Sequence, residues 1–166
     1  MGHTIELSEE LKLPADDVTR AAREIMEAIE KRTPPYDAVA LSVNLRDLKI
    51  PFDAELRVPV RPHVEHDPSP WECRIEIGAE ENSQLFPRFD GMLTITSEAV
   101  GESRLRLRGN YDPPLGLFGN AIDATLLSGV AERSLEEFLD WLARDIAQRV
   151  VKAEQSRLDQ ARNIHH

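Results

Sequence analysis

Between Tyr111 and Ala121 the hydrophobic residues change their period, and that change constrains the fold more than any other feature of the chain. Before it the period is two. Ala54, Leu56, Val58, Val60 and Val64 alternate with Glu55, Arg57, Arg61, His63 and Glu65, and Trp71, Cys73, Ile75 and Ile77 alternate with Glu72, Arg74 and Glu76. Gly91 to Ser97 and Ser103 to Tyr111 continue the pattern. Strands with one apolar and one polar face belong to an antiparallel sheet that meets water on one side. After the change, Ile122, Leu126, Val130, Phe138, Leu142, Ile146 and Val150 recur at helical spacing, and Leu127, Leu135 and Leu139 widen the stripe. A helix over Ala121–Val151 is about 45 Å long at roughly 1.5 Å per residue, enough to cross a curved sheet from edge to edge.

The junction is built for reversal. Pro113 and Pro114 cannot donate to a strand ladder, so the last strand ends near Asp112. Gly116 and Gly119 permit a tight turn, Asn120 is suited to cap the helix, and Asp123 favours its positive N-terminal end. The expected path turns from the last strand back across the concave face of the sheet. Gly129, inside the helical stripe, is expected to mark close packing against that sheet.

Upstream, Ile5, Leu7, Leu11 and Leu13 share one parity and predict a strand over Thr4–Leu13, with Glu9 as the polar exception. Pro14, Asp16 and Asp17 suit a helix start, and Val18, Ala22, Ile25 and Ile29 predict an amphipathic helix over Ala15–Lys31 stopped by Thr33-Pro34-Pro35. Ala38–Leu45 reads as a strand, Leu48–Pro51 as an irregular corner, and His66–Pro70 and Val100–Glu102 as turns. No internal repeat or linker interrupts this order. It predicts one domain over residues 4–151, followed by a polar tail over 152–166.

Composition narrows the functional classes. The chain has 166 residues, 41% hydrophobic and 30% charged, and reads as a globular domain with a sizeable core. A formal net charge of −10 argues against a nucleic-acid partner, which requires a basic face. The longest uncharged stretch, Pro113–Ile122, is too short for stable membrane insertion. Met1-Gly2-His3-Thr4 shows neither the basic start nor the apolar run of a signal peptide, so a cytoplasmic location is expected. Cys73 is the single cysteine, which leaves no internal disulfide and no cysteine-based zinc cage.

The motifs "VALSVNLRDLKIPFDAELRVPV", "LFPRFDGMLTI" and "LRLRGNYDPPLGLFGNAIDATLLSGVAERSLEEFL" resemble uncharacterised bacterial members of the SRPBCC superfamily. That superfamily includes START lipid-transfer domains, polyketide cyclases, plant pathogenesis-related allergens and ring-hydroxylase catalytic domains. The resemblance covers roughly Thr4–Val151. It implies an α+β helix-grip fold, in which a curved antiparallel sheet wraps around a long C-terminal helix and an apolar cavity between them holds a hydrophobic ligand. The iron-binding branch uses two histidines and an acid. No such triad maps here, because His3, His165 and His166 are terminal and the C-terminal helix holds no histidine before His165. No metal or other cofactor is expected.

Several polar residues need separate readings. His63 and His66 are read as exposed, since no third ligand completes a metal spacing. Arg104, Arg106 and Arg108 form a stripe that would face Glu6 and Glu10 if the first strand pairs with the last. Tyr111 points inward by parity and Glu9 is the other inward polar group. The plainer expectation is that the Tyr111 hydroxyl finds a hydrogen-bond partner and that a strand bulge returns Glu9 to water; in an enzyme these two are the acid–base candidates. Cys73 lies between Trp71 and Ile75 on the apolar face, as a small buried hydrophobe rather than a nucleophile.

The leading expectation is therefore binding or carriage of a hydrophobic or amphipathic small molecule, without catalysis. Its lining would be Leu56, Val58, Cys73, Ile75, Leu93, Ile95, Leu107 and Tyr111 from the sheet, with Leu127, Val130 and Ala131 from the helix. Strand aliphatics dominate this face, with Trp71 and Tyr111 as its aromatics and Phe89 assigned to the preceding loop. Two alternatives remain open. One is a cyclase-like or lyase-like enzyme using Tyr111 or Glu9, and the other is a protein-interaction module. The sequence leaves ligand identity and oligomeric state open.

Overall fold

The computed structural model describes residues 3–37, 39–44, 55–65, 70–78, 88–112 and 124–164. Six antiparallel strands form one sheet: β1 (His3–Leu11), β2 (Ala40–Asn44), β3 (Glu55–Val64), β4 (Glu72–Ile77), β5 (Arg88–Ala99) and β6 (Glu102–Asp112). Their order is β1-β6-β5-β4-β3-β2, so the first strand joins the last and β1 and β2 are the edges. Helix α1 (Ala15–Glu30) follows β1, and helix α2 (Ala124–Ile164) closes the chain.

Helix α1 forms where the sequence pattern predicts it. Val18, Ala21, Ala22, Ile25, Met26 and Ile29 are buried on one face, and Asp16 and Asp17 occupy the first turn. It ends as the N–H groups of Arg32 and Thr33 turn back to the carbonyls of Ile29 and Ala28 at 3.0 and 2.8 Å. Arg32 closes this end at φ 52°. Glycine usually takes that role, since a side chain in this left-handed region costs about 1 kcal/mol.

Helix α2 is longer than its apolar stripe implies, continuing to Ile164 rather than ending at Val151. Every residue from Val151 to Ile164 is exposed, so the polar C-terminal segment is helical but lies off the core. The buried stripe runs through Val130, Leu135, Phe138, Leu139, Leu142, Ile146 and Val150. The helix packs on α1 and on both sheet edges, β1 and β2, and more lightly on β6. It thus bridges the gap that an open six-stranded sheet leaves between its two rims.

Pairing of β1 with β6 sets Glu6 opposite Arg108 and Glu10 opposite Arg104. The expected charge pairs form on the convex face: Arg104 meets Glu10 at 2.6 Å and Arg106 meets Glu6 at 3.6 Å. Each is exposed and contributes roughly 1 kcal/mol or less. On the same face His63 lies 3.0 Å from Glu76, and Arg74 bridges Glu76 and Asp90, each at 2.7 Å.

Strand β3 outruns its short neighbour β2, and the N–H groups it turns to that side are accounted for one by one. The Val60 N–H donates to the Val39 carbonyl at 3.1 Å. Pro62, two residues on and buried, has no N–H to satisfy. The Val64 N–H then donates to the Glu30 carboxylate at the end of α1, at 2.6 Å.

Two expectations fail here. Phe89 belongs to β5 and not to the preceding loop, and it is 3% exposed on the concave face. Gly129 is exposed, with open space where a Cβ would stand, so it does not mark close packing against the sheet. The reversal containing Gly116, Gly119 and Asn120, the Leu48–Pro51 corner and the position of His66 lie outside the described residues.

Candidate functional site

The concave face is a set of cross-strand rows, because the register brings residues of one parity together. Leu7, Leu107, Leu93, Cys73 and Val64 form one row. Ile5, Gly109, Gly91, Ile75 and Pro62 form the next, and His3, Tyr111, Phe89, Ile77 and Val60 the third. On the other side of the first row, Glu9 faces Leu105, which faces Ile95. Helix α1 lies over β3, β5 and β6.

Gly91 and Gly109 face each other in the middle of this surface. A Cβ at Gly91 would come 2.5 Å from Cζ of Phe89, and one at Gly109 would come 2.7 Å from the same atom. The edge of the Phe89 ring therefore lies over the paired glycines, in space that any other residue at either position would fill. Neither glycine is in the left-handed region, so the requirement for glycine is one of space.

Of the expected lining, Val58, Cys73, Ile75, Leu93, Ile95, Leu107 and Tyr111 are all buried strand residues, and Val130 and Ala131 are buried on α2. The side chains of Leu56 and Leu127 lie outside the described part. Sequence reasoning missed Phe89, and the signal that could have found it was local. "RFDGMLTI" keeps period two back through Phe89 once Gly91 is counted as an inward residue, despite its lack of a side chain.

Three titratable side chains on this face are shifted from their ordinary pKa. Burial pushes the Tyr111 phenol above its ordinary pKa, so it stays protonated across the neutral range. Burial, assisted by the Glu30 carboxylate, pushes the Cys73 thiol up to about 12. Its Sγ lies 3.7 Å from the His63 carbonyl, and the thiol is a packed hydrophobe with no thiolate to react. Glu9 is half-buried at the β1 edge, hydrogen-bonded to Asp140 of α2. That bond, then burial and the neighbouring negative charge, raise its pKa to about 7. A hydrogen bond between two carboxyl groups needs one proton, so the pair holds a proton near neutrality.

Glu9 and Tyr111 are far apart. Glu9 is level with Leu105, and six residues along a strand at about 3.3 Å each put Tyr111 roughly 20 Å away. They cannot act together on one small substrate. His3 stands opposite Tyr111 in the register but is exposed at the start of β1.

This architecture recurs in solved structures. An aromatase/cyclase, Zhui, from Streptomyces sp. R1128 superimposes with a TM-score of 0.56 at 14% identity, covering 90% of this chain and 96% of the other. Norcoclaurine synthase from Thalictrum flavum, in complex with dopamine and hydroxybenzaldehyde, gives 0.54 at 10% identity over 92% and 88% of the two chains. A Thermus thermophilus protein gives 0.53 at 16% identity over 91% and 99%. This is the helix-grip fold. It is the fold that the resemblance to the SRPBCC superfamily implied. No protein-family model matches the sequence, and no curated protein does. At these identities the likeness establishes the fold alone. Helix-grip architecture places a long helix opposite a concave sheet, and here that helix meets the sheet chiefly at its rims. Among the described residues, no helix is long and apolar enough to cross a membrane.

Proposed function

We propose that the protein binds a hydrophobic or amphipathic small molecule between the concave sheet and the first half of α2, without transforming it. The observation that carries this reading is the character of the inward face. Leu93, Leu107, Ile75 and Phe89 form an apolar floor, and the acid–base candidates Glu9 and Tyr111 stand at opposite ends of it. Catalysis by proton transfer requires a titratable group within hydrogen-bond reach of the reacting atom, with its pKa matched to the task. Tyr111 has the position without the pKa. Glu9 has a pKa near neutrality, but it is committed to Asp140 at the rim.

Leu56 and Leu127 complete the proposed lining with Val58, Cys73, Ile95, Val130 and Ala131. The similar structures support a small-molecule role by analogy, since one is an aromatase/cyclase and another was solved with dopamine and hydroxybenzaldehyde. The alternative is a cyclase-like or lyase-like enzyme using the same cavity, a reading that the aromatase/cyclase among the similar structures supports by analogy.

The test is native mass spectrometry of gently purified protein, then solvent extraction and titration with fluorescent fatty acids. A reproducible apolar adduct, and dye binding abolished in a folded Val130→Trp variant, are the expected results. Absence of both adduct and dye binding would overturn carriage, and turnover of a polyketide-like substrate would replace it with catalysis.

A further inference from the structure

A separate recess runs along the β2 rim, outside the concave interior. Between β2 and α2 lies a cleft of about 580 Å³, walled in part by Leu41, Phe138, Trp141 and Glu137. Phe138 and Trp141 stack with ring centroids 5.9 Å apart and planes 27° apart. Tyr36 meets Trp141 edge-on at 6.0 Å. Tyr36 is itself fixed from two sides: its hydroxyl donates to Asp145, and the Arg149 guanidinium, held by Glu24 at 2.9 Å, sits 5.6 Å above its ring. Trp141 is the ring left partly open, half-buried and lining the cleft.

The cleft adjoins a second one of about 320 Å³ that shares Tyr36, Val39, Ala40 and Arg57 with it and adds Arg32, Arg61 and Asp37. Its ends differ in charge. Glu137 and Asp145 line only the cleft with the aromatic rings, Arg32, Arg61 and Asp37 line only the other, and Arg57 stands between them, lining both, on a chain whose net charge is −10.

We propose that this seam binds a small molecule that joins an aromatic ring to an anionic group. The ring lies against Trp141 and Phe138, and the anion lies among Arg57 and Arg32. Either cleft alone is within the range of about 300–1,000 Å³ typical of ligand sites. Aromatic rings in offset or edge contact supply the apolar attraction. Glu137 and Asp145 repel an anion from the ring end, so the charge difference sets the ligand's direction, and guanidinium groups suit either carboxylate or phosphate. The seam shares none of its lining residues with the proposed interior site.

The chain has two tryptophans, so Trp71→Phe leaves Trp141 as the only indole reporter. Its fluorescence would be titrated with 2-naphthoate, 2-naphthyl phosphate and uncharged 2-naphthol. Saturable quenching by one or both anions is expected, at least tenfold weaker in Arg57→Gln and unchanged in Val130→Phe, which alters only the interior. The tighter anion identifies the head group. Should Trp71→Phe fail to fold, calorimetry on the unmodified protein and on Trp141→Leu gives the same comparison, with binding lost in the variant. Three results would each overturn the proposal: no saturable binding of either anion, naphthol binding as tightly as the anions, or indifference to both Arg57→Gln and Trp141→Leu. Binding that is lost in Val130→Phe yet indifferent to Arg57→Gln would also overturn it, and would support the interior site.

Discussion

Replacing Gly91 with alanine tests the geometry at the centre of the concave face. The added methyl would lie 2.5 and 2.7 Å from Cζ and Cε1 of Phe89 and 2.8 Å from the Arg108 carbonyl oxygen. Carbon atoms do not approach so closely, so the ring must swing out of a position where Phe89 is only 3% exposed. Overpacking of this kind costs about 1–3 kcal/mol, offset by roughly 0.5–1 kcal/mol because alanine loses less backbone freedom than glycine. The net expectation is a loss of about 1–2 kcal/mol, or roughly 2–8 °C in melting temperature for a chain of this size. Phe89→Leu removes the ring and should rescue much of that loss, leaving chiefly the Arg108 carbonyl in the way. Urea unfolding of the four-member cycle, with equal m-values, should give a coupling of about 1 kcal/mol or more. A Gly91→Ala protein as stable as the parent, or effects that add to within about 0.5 kcal/mol, would refute the placement of the ring over the glycine pair.

Other perturbations probe the helices and the rim. Gly129→Ala should stabilise the protein by up to about 1 kcal/mol, since the site is open and helical, and a lower midpoint in urea would contradict this. Glu30→Ala removes the carboxylate that accepts from the Val64 N–H and should cost about 1 kcal/mol, with faster hydrogen exchange at Val64 as the specific signature. Glu9 should make stability fall as pH rises from about 4.5 to 7, because the folded state, with a pKa raised to about 7, binds the proton more tightly than the unfolded chain. Glu9→Gln should therefore raise the melting temperature at pH 8 and lose that advantage by pH 5, and a pH-independent difference would argue against the shared proton.

The strands were legible because their burial is one-sided. Alternation at Trp71–Ile77 and Ser103–Tyr111 reports the sheet's two faces directly, and the helix-grip resemblance, which pairs the first strand with the last, set Glu6 and Glu10 across from the arginines. Parity alone could not show what fills the concavity. Gly91 and Gly109 contribute no apolar side chain to the pattern, so the floor that accommodates Phe89 is invisible to a count of hydrophobic residues. Gly129 misled for the converse reason: a glycine inside an apolar stripe suggests contact, but its own direction on the helix is outward. The α2 boundary was missed because Val151 onward has no buried face to create a period, and the helix continues there on local propensity alone. The β2-rim seam could not be read from sequence, since Tyr36, Arg57 and Trp141 lie on three elements joined only by the fold.

The way β3 ends beyond β2 also bears on how the protein behaves when crowded. An incompletely covered strand is a template for a foreign strand, which can add to it and seed aggregation. Here the Val60 N–H is already bound to Val39, Pro62 has none to offer, and the Val64 N–H is occupied by Glu30. An incoming chain would find no free donor on that stretch. At the opposite rim α2 packs along β1. Strand addition is thus discouraged on that stretch of β3 without the sheet closing into a full barrel.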